Sequence, residues 1–186
     1  MNEFPVPLPA IDDDYTLRYL TADDGPAVQD LCERCADYLE LITGLPPGSA
    51  EAQSLYVALP EGGSYDDKAL IGVFTASGNA LIGVIDAVRD APEPGEWWLG
   101  VLLLDPAHRQ RGLGTRLTHR LEAWMAALDA RAIRLSVMEQ NTRALAFWRR
   151  LGFVEIERRP PRLFGAKESV AIVLRRWLAC SGNALP

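Results

Sequence analysis

The segment Arg109–Gly114 combines two guanidinium groups with two glycines directly before a helical pattern. The free N–H groups and partial positive charge of a helix N-terminus bind anions. Gly112 and Gly114 would let the backbone approach a diphosphate without a side-chain clash, while Arg109 and Arg111 add positive charge. We therefore predict a phosphate-binding turn. The alternative is a tight strand-to-helix turn with exposed arginines.

Other phosphate motifs fit this segment poorly. A dinucleotide fold needs a third glycine after Gly112-x-Gly114, which the sequence does not have at that spacing. A P-loop needs Gly-Lys followed by Ser or Thr, which is not found in the chain.

The elements around this turn follow from the spacing of apolar residues. A continuous apolar run at 96–104 predicts a strand that is buried on both faces, and the spacing over 112–129 predicts an amphipathic helix. Further strands are predicted at 15–20, 69–75, 80–88, 132–138, 153–157 and 169–175, and further helices after Thr21 and at 142–151. This order predicts an α/β (α+β mixed sheet) domain, with a mixed sheet of six or seven strands flanked by helices.

Two segments resemble the GCN5-related N-acetyltransferase (GNAT) family. Residues 102–114 resemble its Gln/Arg-x-x-Gly-x-Gly/Ala signature, and residues 141–153 resemble its Asn-x-x-Ala-x-x-Phe-Tyr-x-x-x-Gly-Phe block. The resemblance covers residues 15–176, resting on topology alone in the first half. It implies a GNAT-like acyl-CoA N-acyltransferase fold, acetyl-CoA as co-substrate, no metal, and an amine of a small molecule or peptide as acceptor.

The resemblance also implies where the cofactor would bind. The turn would hold the pyrophosphate, the gap between strands 96–104 and 132–138 would hold the pantetheine arm, and Asn141 would reach that arm. Asn141 suits a helix N-cap equally well. The residues expected to contact the cofactor are Leu102, Leu103, Leu104, Arg109, Gln110, Arg111, Gly112, Leu113, Gly114, Thr115, Asn141 and Trp148.

The catalytic groups are less specified than the cofactor site. The family often protonates the leaving thiolate with a tyrosine, but Trp148 occupies the matching position and an indole N–H is no useful acid. Tyr38, Tyr56 or water would have to serve instead. Glu96 on the central strand and Asp86 on the neighbouring strand are the candidate bases. An exposed loop carboxylate is the other interpretation of Glu96.

Composition limits the possible partners and compartment. A formal charge of −6 argues against a nucleic-acid partner, and no apolar run is long enough for a membrane helix. Cys32 and Cys35 spell C-x-x-C inside a helix, where we expect buried thiols rather than a redox or zinc site. The odd cysteine count and the lack of a signal peptide favour a cytoplasmic protein.

We expect one domain at 13–178, a disordered N-terminal lead-in at 1–12 and a loose tail at 179–186. The resemblance also allows a homodimer. Because Trp148 replaces the usual acid, a catalytically silent acyl-CoA-binding sensor or interaction domain is the alternative to an active enzyme.

Overall fold

A computed structural model describes residues 4–178, and the predicted tail 179–186, with Cys180, lies outside these residues. Its centre is a seven-stranded mixed sheet in the order β1-β2-β3-β4-β5-β9-β6. The strands are β1 (Tyr15–Tyr19), β2 (Lys68–Thr75), β3 (Leu81–Arg89), β4 (Glu96–Leu104), β5 (Ala132–Met138), β6 (Val154–Arg158) and β9 (Ala171–Trp177). The predicted mixed sheet is thereby confirmed.

Between residues 4 and 178, five α-helices cover this sheet. They are α1 (Gly25–Arg34), α2 (Ala36–Thr43), α3 (Glu51–Val57), α4 (Leu113–Ala126) and α5 (Thr142–Arg150). None of the helices between residues 4 and 178 combines the length and apolarity needed to cross a membrane. A hairpin of β7 (Arg162–Phe164) and β8 (Lys167–Ser169) stands apart from the sheet and was not predicted.

The sheet opens beside β4. Strand β4 pairs in parallel with β5 only from Glu96 to Leu99, whereas β5 continues to pair with β9 as far as Met138. On its other edge β4 pairs with β3, and Gly100 is an extra residue between the pairs Ala87–Leu99 and Asp86–Val101. Such a bulge bends a strand. The bend coincides with the point where β4 leaves β5.

Two apolar clusters fill the two faces of the sheet. Helices α4 and α5 pack on one face around Trp97, Leu117 and Trp148. Helices α1 and α3 pack on the other face with Leu103, and both Cys32 and Cys35 are buried free thiols there. Burial raises the pKa of the Cys32 thiol to about 11, which suits an unreactive core residue.

The described part of the N-terminal lead-in packs on the larger apolar cluster. Residues 4–12 contain no helix or strand. The Phe4 ring nevertheless lies 5.4 Å from Trp97 and 5.5 Å from Trp124, centroid to centroid, and the Trp124 indole donates to Val6 O at 3.1 Å. The apolar side chains between the prolines thus cover the end of the larger cluster, and the predicted disorder of residues 1–12 stays a prediction.

Candidate active site

The predicted phosphate turn has the backbone of an anion-binding nest. Gln110 and Gly112 both have positive φ, 63° and 74°, so the chain turns sharply into α4. The first intrahelical donor after Gly112 is the N–H of Arg116, which bonds to Gly112 O at 3.1 Å. The amides of the first three helical residues, Leu113, Gly114 and Thr115, therefore lie at the free N-terminus of α4.

The two arginines of the turn have different positions. Arg111 is exposed, and its side chain has no ion pair or hydrogen bond with any residue from 4 to 178. The Arg109 guanidinium binds Asp37 of α2 through both terminal nitrogens, at 2.5 and 3.1 Å, and donates through Nε to Leu104 O at 2.7 Å. In this structure these contacts hold the Arg109 guanidinium on α2, and its contribution of charge toward a phosphate stays a prediction.

Gly114 has a packing role beside its predicted one. A Cβ built there would lie 3.4 Å from Cζ of Phe147 and 3.8 Å from Leu104. Trp148, the predicted cofactor contact, is instead buried in the larger cluster, with ring centroids 4.8 Å from Phe147 and 5.1 Å from Phe153. This packing gives Trp148 a core role and makes Phe147 the aromatic residue that borders the turn.

The gap between β4 and β5 exposes backbone groups of β4. The Asp105 N–H donates to Ile82 O of β3 at 2.8 Å. Because backbone groups alternate in direction along a strand, the N–H and C=O of Leu103 also point toward β3. Leu102 and Leu104 therefore face the gap. Leu103, predicted as a cofactor contact, is instead a core residue on the α1 face. Leu104 O already accepts from Arg109 Nε. The N–H and C=O of Leu102 are therefore the backbone groups left for a ligand in the gap.

Asn141 is the N-cap of α5. Its side-chain oxygen accepts from Ala144 N at 3.1 Å, which is the capping role considered from the sequence. The side-chain amide nitrogen is not used by that bond. Asn141 can therefore cap the helix and donate to a ligand at the same time.

A cavity of about 460 Å³ opens where β4 and β5 separate. Its floor is formed by Trp98, Gly100 and Val101 of β4, and its far wall by Arg134 and Ser136 of β5. The remaining lining residues come from the 55–61 segment, the neighbouring strands and the β7–β8 hairpin: Leu55, Ala58, Leu59, Pro60, Glu61, Asp86, Pro92, Glu157, Arg159, Phe164 and Val173.

Asp86 is the buried carboxylate of this cavity. Its Oδ1 accepts from Lys68 Nζ at 2.5 Å, and the same ammonium donates to Ala58 O at 2.8 Å. A Cβ at Gly100 would lie 2.9 Å from Asp86 Oδ2, so the second oxygen faces the bulge of β4. Burial raises the pKa of Asp86, and the Lys68 ammonium opposes that shift.

Glu96 lies in a separate ion-pair cluster. Its carboxylate binds Arg134 Nε and lies 3.6 Å from Arg175 Nη1, with only 4% of its side chain exposed. It is not among the residues that line the cavity. With both oxygens facing guanidinium groups, Glu96 has no oxygen turned toward a substrate, so the geometry favours Asp86 over Glu96 as the base.

Tyr38 and Tyr56 differ in their availability. The Tyr56 hydroxyl donates to Thr21 O at 2.5 Å, which occupies its proton. The Tyr38 hydroxyl has no hydrogen-bond partner between residues 4 and 178, and Tyr38 packs in the same cluster as Val101 of the cavity floor. Burial raises the pKa of Tyr38, which keeps its hydroxyl protonated near neutral pH. Of the two, Tyr38 is therefore the one whose hydroxyl proton is not already used, although it is not among the residues that line the cavity.

Several residues of this site were missed in the sequence analysis. Lys68 opens the apolar strand β2 and is only 2% exposed, and Arg134 and Ser136 alternate with apolar residues along β5. The signal that could have found Lys68 is a lysine beginning an apolar run, since a buried ammonium needs a carboxylate partner. Among residues 4–178, no three His, Cys, Asp or Glu side chains gather as metal ligands would.

Solved structures similar to this fold include several acetyltransferases. An acetyltransferase from Thermus thermophilus superposes with a TM-score of 0.70 at 24% identity, covering 89% of this chain and 97% of that one. The spermidine N-acetyltransferase from Vibrio cholerae, solved with CoA and spermine, gives 0.70 at 18% identity over 91% and 98%. The ribosomal-protein-S18-alanine N-acetyltransferase from Escherichia coli gives 0.66 at 19% over 92% and 99%.

Sequence comparison identifies the family. An uncharacterized protein from Mycobacterium leprae is 34% identical over 107 residues, which are 57% of this chain and 28% of that protein. The chain thus matches under a third of that relative's length. The family model described as acetyltransferase (GNAT) family matches residues 31–153, which include the phosphate turn, the β4 bulge and α5. The chain therefore belongs to the GNAT family of acetyltransferases.

Proposed function

We propose that the protein transfers an acetyl group from acetyl-CoA to a primary amine of a small molecule or peptide, with Asp86 as the base. The observation that carries the proposal is the Asp86 Oδ2 atom, which faces the cavity floor at Gly100 while Oδ1 is held by Lys68. A carboxylate with one free oxygen at the opening between β4 and β5 supports this role.

The residues of the turn fit a coenzyme A diphosphate. The amides of Leu113, Gly114 and Thr115, the left-handed Gln110 and the exposed Arg111 offer N–H donors and one positive charge. Leu102 and Asn141 supply further polar groups along the gap. Acetyl-CoA, when bound, supplies the acetyl group as a thioester.

The acceptor amine must lose a proton before it can attack. A free alkyl ammonium has a pKa of about 10.4, and an ordinary aspartate about 3.9, so an unperturbed carboxylate is a weak base for it. The raised pKa of Asp86 narrows this difference. In our proposal, Asp86 Oδ2 binds the ammonium, accepts its proton directly or through one water, and keeps the amine over Gly100.

Tyr38 is the proposed donor to the departing thiolate. A thiol has a pKa of about 8.5, so the thiolate leaves readily and needs only a nearby proton. Tyr38 lies on α2, its hydroxyl is protonated, and it packs in the cluster of Val101. With Trp148 in the core, Tyr38 takes the role that the family often gives to a tyrosine on α5.

The test of this function is acetyl-CoA turnover over a panel of amines, with release of free thiol as the signal. Asp86→Asn alone would leave Lys68 buried without a counter-ion, so it is paired with Lys68→Met to keep the site neutral. We expect the double variant to lose turnover by roughly 100-fold or more and to keep its thermal stabilisation by CoA.

Glu122→Gln is the matched control. Glu122 is also a buried carboxylate paired with an arginine, 3.3 Å from Arg176, but it lies on α4 on the other side of the sheet. It should keep wild-type turnover. A double variant as active as Glu122→Gln would reject Asp86 as the base. A wild-type protein that binds CoA and acetylates no amine would reject the proposed function and support a silent acyl-CoA-binding module.

A further inference from the structure

The cavity carries guanidinium groups on the wall opposite Asp86. Arg134 and Arg159 both line it, on the far side of the β4 floor from the carboxylate. We propose that the acceptor carries a carboxylate a few atoms from its reactive amine, as an amino acid does, and that Arg134 binds this carboxylate. The proposal rests on the proposed function, since it assigns the acceptor class of that same site.

The first argument is the charge balance beneath the cavity. Glu96 is buried between two guanidinium groups, those of Arg134 and Arg175, whose side chains are 17% and 26% exposed. The only other carboxylate near Arg134 in the described chain is that of Glu93, at 3.9 Å and 68% exposed. The two guanidinium groups thus face one buried carboxylate and one mostly exposed carboxylate, and because an exposed ion pair contributes little, their positive charge is only partly balanced. An anionic group of the acceptor would balance it.

The second argument is the spacing of the two charges across β4. Asp86 lies on β3 opposite Val101, and Arg134 lies on β5 opposite Trp98. Adjacent strands are about 4.8 Å apart, so β3 and β5 lie roughly 10 Å apart across β4, and the three-residue offset between Trp98 and Val101 adds about 10 Å along the strand. The Asp86 side chain reaches Gly100, and the Arg134 guanidinium reaches Glu96 of β4. The acceptor must therefore lie along the groove of β4, with its amine at the Gly100 end and its carboxylate at the Arg134 end.

The third argument is the open floor between them. Gly100 has no side chain, and a Cβ there would already approach Asp86 Oδ2 to 2.9 Å. Beside it, the Trp98 ring has the Arg159 guanidinium over its face at 5.5 Å, and Arg159 also pairs with Glu157 at 3.7 Å. The floor thus offers a narrow groove from Asp86 to Arg134, with an aromatic surface for an apolar acceptor side chain.

Two rim carboxylates favour a different acceptor. Glu61 and Glu157 also line the cavity and would suit a polyamine. Glu157 already faces Arg159, whereas Arg134 lies deeper and shares Glu96 with a second arginine. The observations therefore favour an acceptor with one amine and one anionic group, and polyamine turnover becomes an outcome of the test.

The experiment compares amino acids with the matching amines that lack the carboxylate, and with the matching amino acid amides. Spermidine and short peptides complete the panel. We expect kcat/KM to be roughly tenfold or more higher for the carboxylate-bearing member of the best pair. Calorimetric binding of the same pairs to the enzyme gives a readout that does not depend on turnover.

The variant Glu96→Gln/Arg134→Gln removes the guanidinium without leaving Glu96 buried and charged. It should raise KM for the amino acid by about tenfold, abolish the calorimetric preference and raise the KM of the plain amine by much less than that of the amino acid. Arg134→Lys, which keeps the charge beside Glu96, should restore part of the preference. This rescue separates binding of the carboxylate from a general loss of fold.

Three outcomes would overturn the inference. These are equal or better use of plain amines or spermidine, equal loss of both substrate types in the variant, and failure of any amino acid to be acetylated or bound. In each case, acetylation of any other amine in the panel would leave the proposed function in place. Only a complete lack of turnover would count against that function.

Discussion

At the scale of single residues, we expect the buried Asp86–Lys68 ion pair to contribute little to the free energy of unfolding. Desolvating two charges offsets most of their attraction, so buried ion pairs contribute little net stability. Lys68 is 2% exposed, and its ammonium is satisfied by Asp86 Oδ1 and Ala58 O, yet Asp86 Oδ2 is turned to the cavity. A buried carboxylate with a raised pKa beside a cavity is what general-base catalysis needs.

The pH dependence of turnover tests this assignment. Asp86 must be ionised to accept a proton, so kcat/KM should fall as the pH drops through its raised pKa, above the ordinary value for a carboxyl group. Because the Lys68 ammonium lowers the pKa of Asp86, Lys68→Met should raise that pKa further. The acid limb of the profile should then move to higher pH in the variant.

The Lys68→Met substitution should also change how the free energy of unfolding depends on pH. A carboxyl whose pKa is raised on folding favours the folded state at low pH and opposes it above the unfolded pKa. Lys68→Met should therefore lose more stability at neutral pH than near a pH of about 4, the ordinary carboxyl pKa. Glu122→Gln should leave the acid limb where it is in the wild type. If the acid limb does not move in Lys68→Met, the ionisation that governs it is not that of Asp86.

The predictability of these residues depends on their separation along the chain. The phosphate turn was predicted because its glycines, arginines and helix start are consecutive. Asp86 was a candidate only as a carboxylate on a neighbouring strand, because its pairing with Lys68 depends on the register of β2 against β3. The pairing of Arg109 with Asp37 was not predicted for the same reason, since Asp37 lies 72 residues earlier.

At the scale of elements, the turn and α4 should bind the phosphates largely through backbone groups and one side chain. Arg111→Ala removes the exposed guanidinium without touching the nest, so we expect CoA affinity to fall by roughly tenfold and its salt dependence to weaken. Arg120→Ala is the control, because Arg120 is an exposed arginine of the same helix. Equal affinities in both variants, measured by calorimetry, would contradict a phosphate contact by Arg111.

Helix α2 is joined to the same turn by a clamp made of Arg109, Asp37 and Leu104 O. Arg109 lowers the pKa of Asp37, as expected for a paired carboxylate. Because α2 also carries Tyr38, the clamp relates the proposed proton donor to the cofactor turn. Asp37→Asn should thus reduce kcat several-fold, with a smaller effect on CoA affinity than Arg111→Ala.

The matching control for the clamp is Asp30→Asn. Asp30 is an exposed carboxylate that pairs with Arg34 on its own helix α1, and the contacts of Arg34 with Asp105 and Leu81 O do not involve Asp30. It should leave kcat unchanged, because exposed ion pairs contribute little. If Asp37→Asn behaves like Asp30→Asn in steady-state kinetics, the clamp does not position Tyr38.

Most elements of the fold could be predicted from local patterns, and the exceptions have physical reasons. The apolar run of β4 and the amphipathic spacing of α4 are strong signals within one segment. The break between α1 and α2 at Cys35 was not seen, because both helices share one apolar stripe. The β7–β8 hairpin was missed because its strands have only three residues each and are mostly exposed.

At the scale of the whole molecule, the two faces of the sheet differ in what they carry. The α1 side carries the cavity that we propose for the acceptor, the α4 side carries the larger apolar cluster, and β4 contributes to both. The N-terminal segment belongs to the second side, where Phe4 covers Trp97 and Trp124, and the Arg89 guanidinium lies 5.5 Å from the Phe4 ring. This segment should therefore stabilise the fold without contributing to the reaction.

Phe4→Ala tests that separation. Removing a partly buried ring should lower the free energy of unfolding by about 1–3 kcal/mol, less than for a fully buried phenylalanine. The tryptophan emission should shift to longer wavelength as water reaches Trp97 and Trp124. Leu163→Ala, a change at a side chain that is 73% exposed, should leave both properties unchanged. Because Phe4 lies away from the cavity, kcat measured well below the unfolding temperature should equal that of the wild type. Unchanged stability in Phe4→Ala would mean that the segment does not pack on the tryptophans in solution.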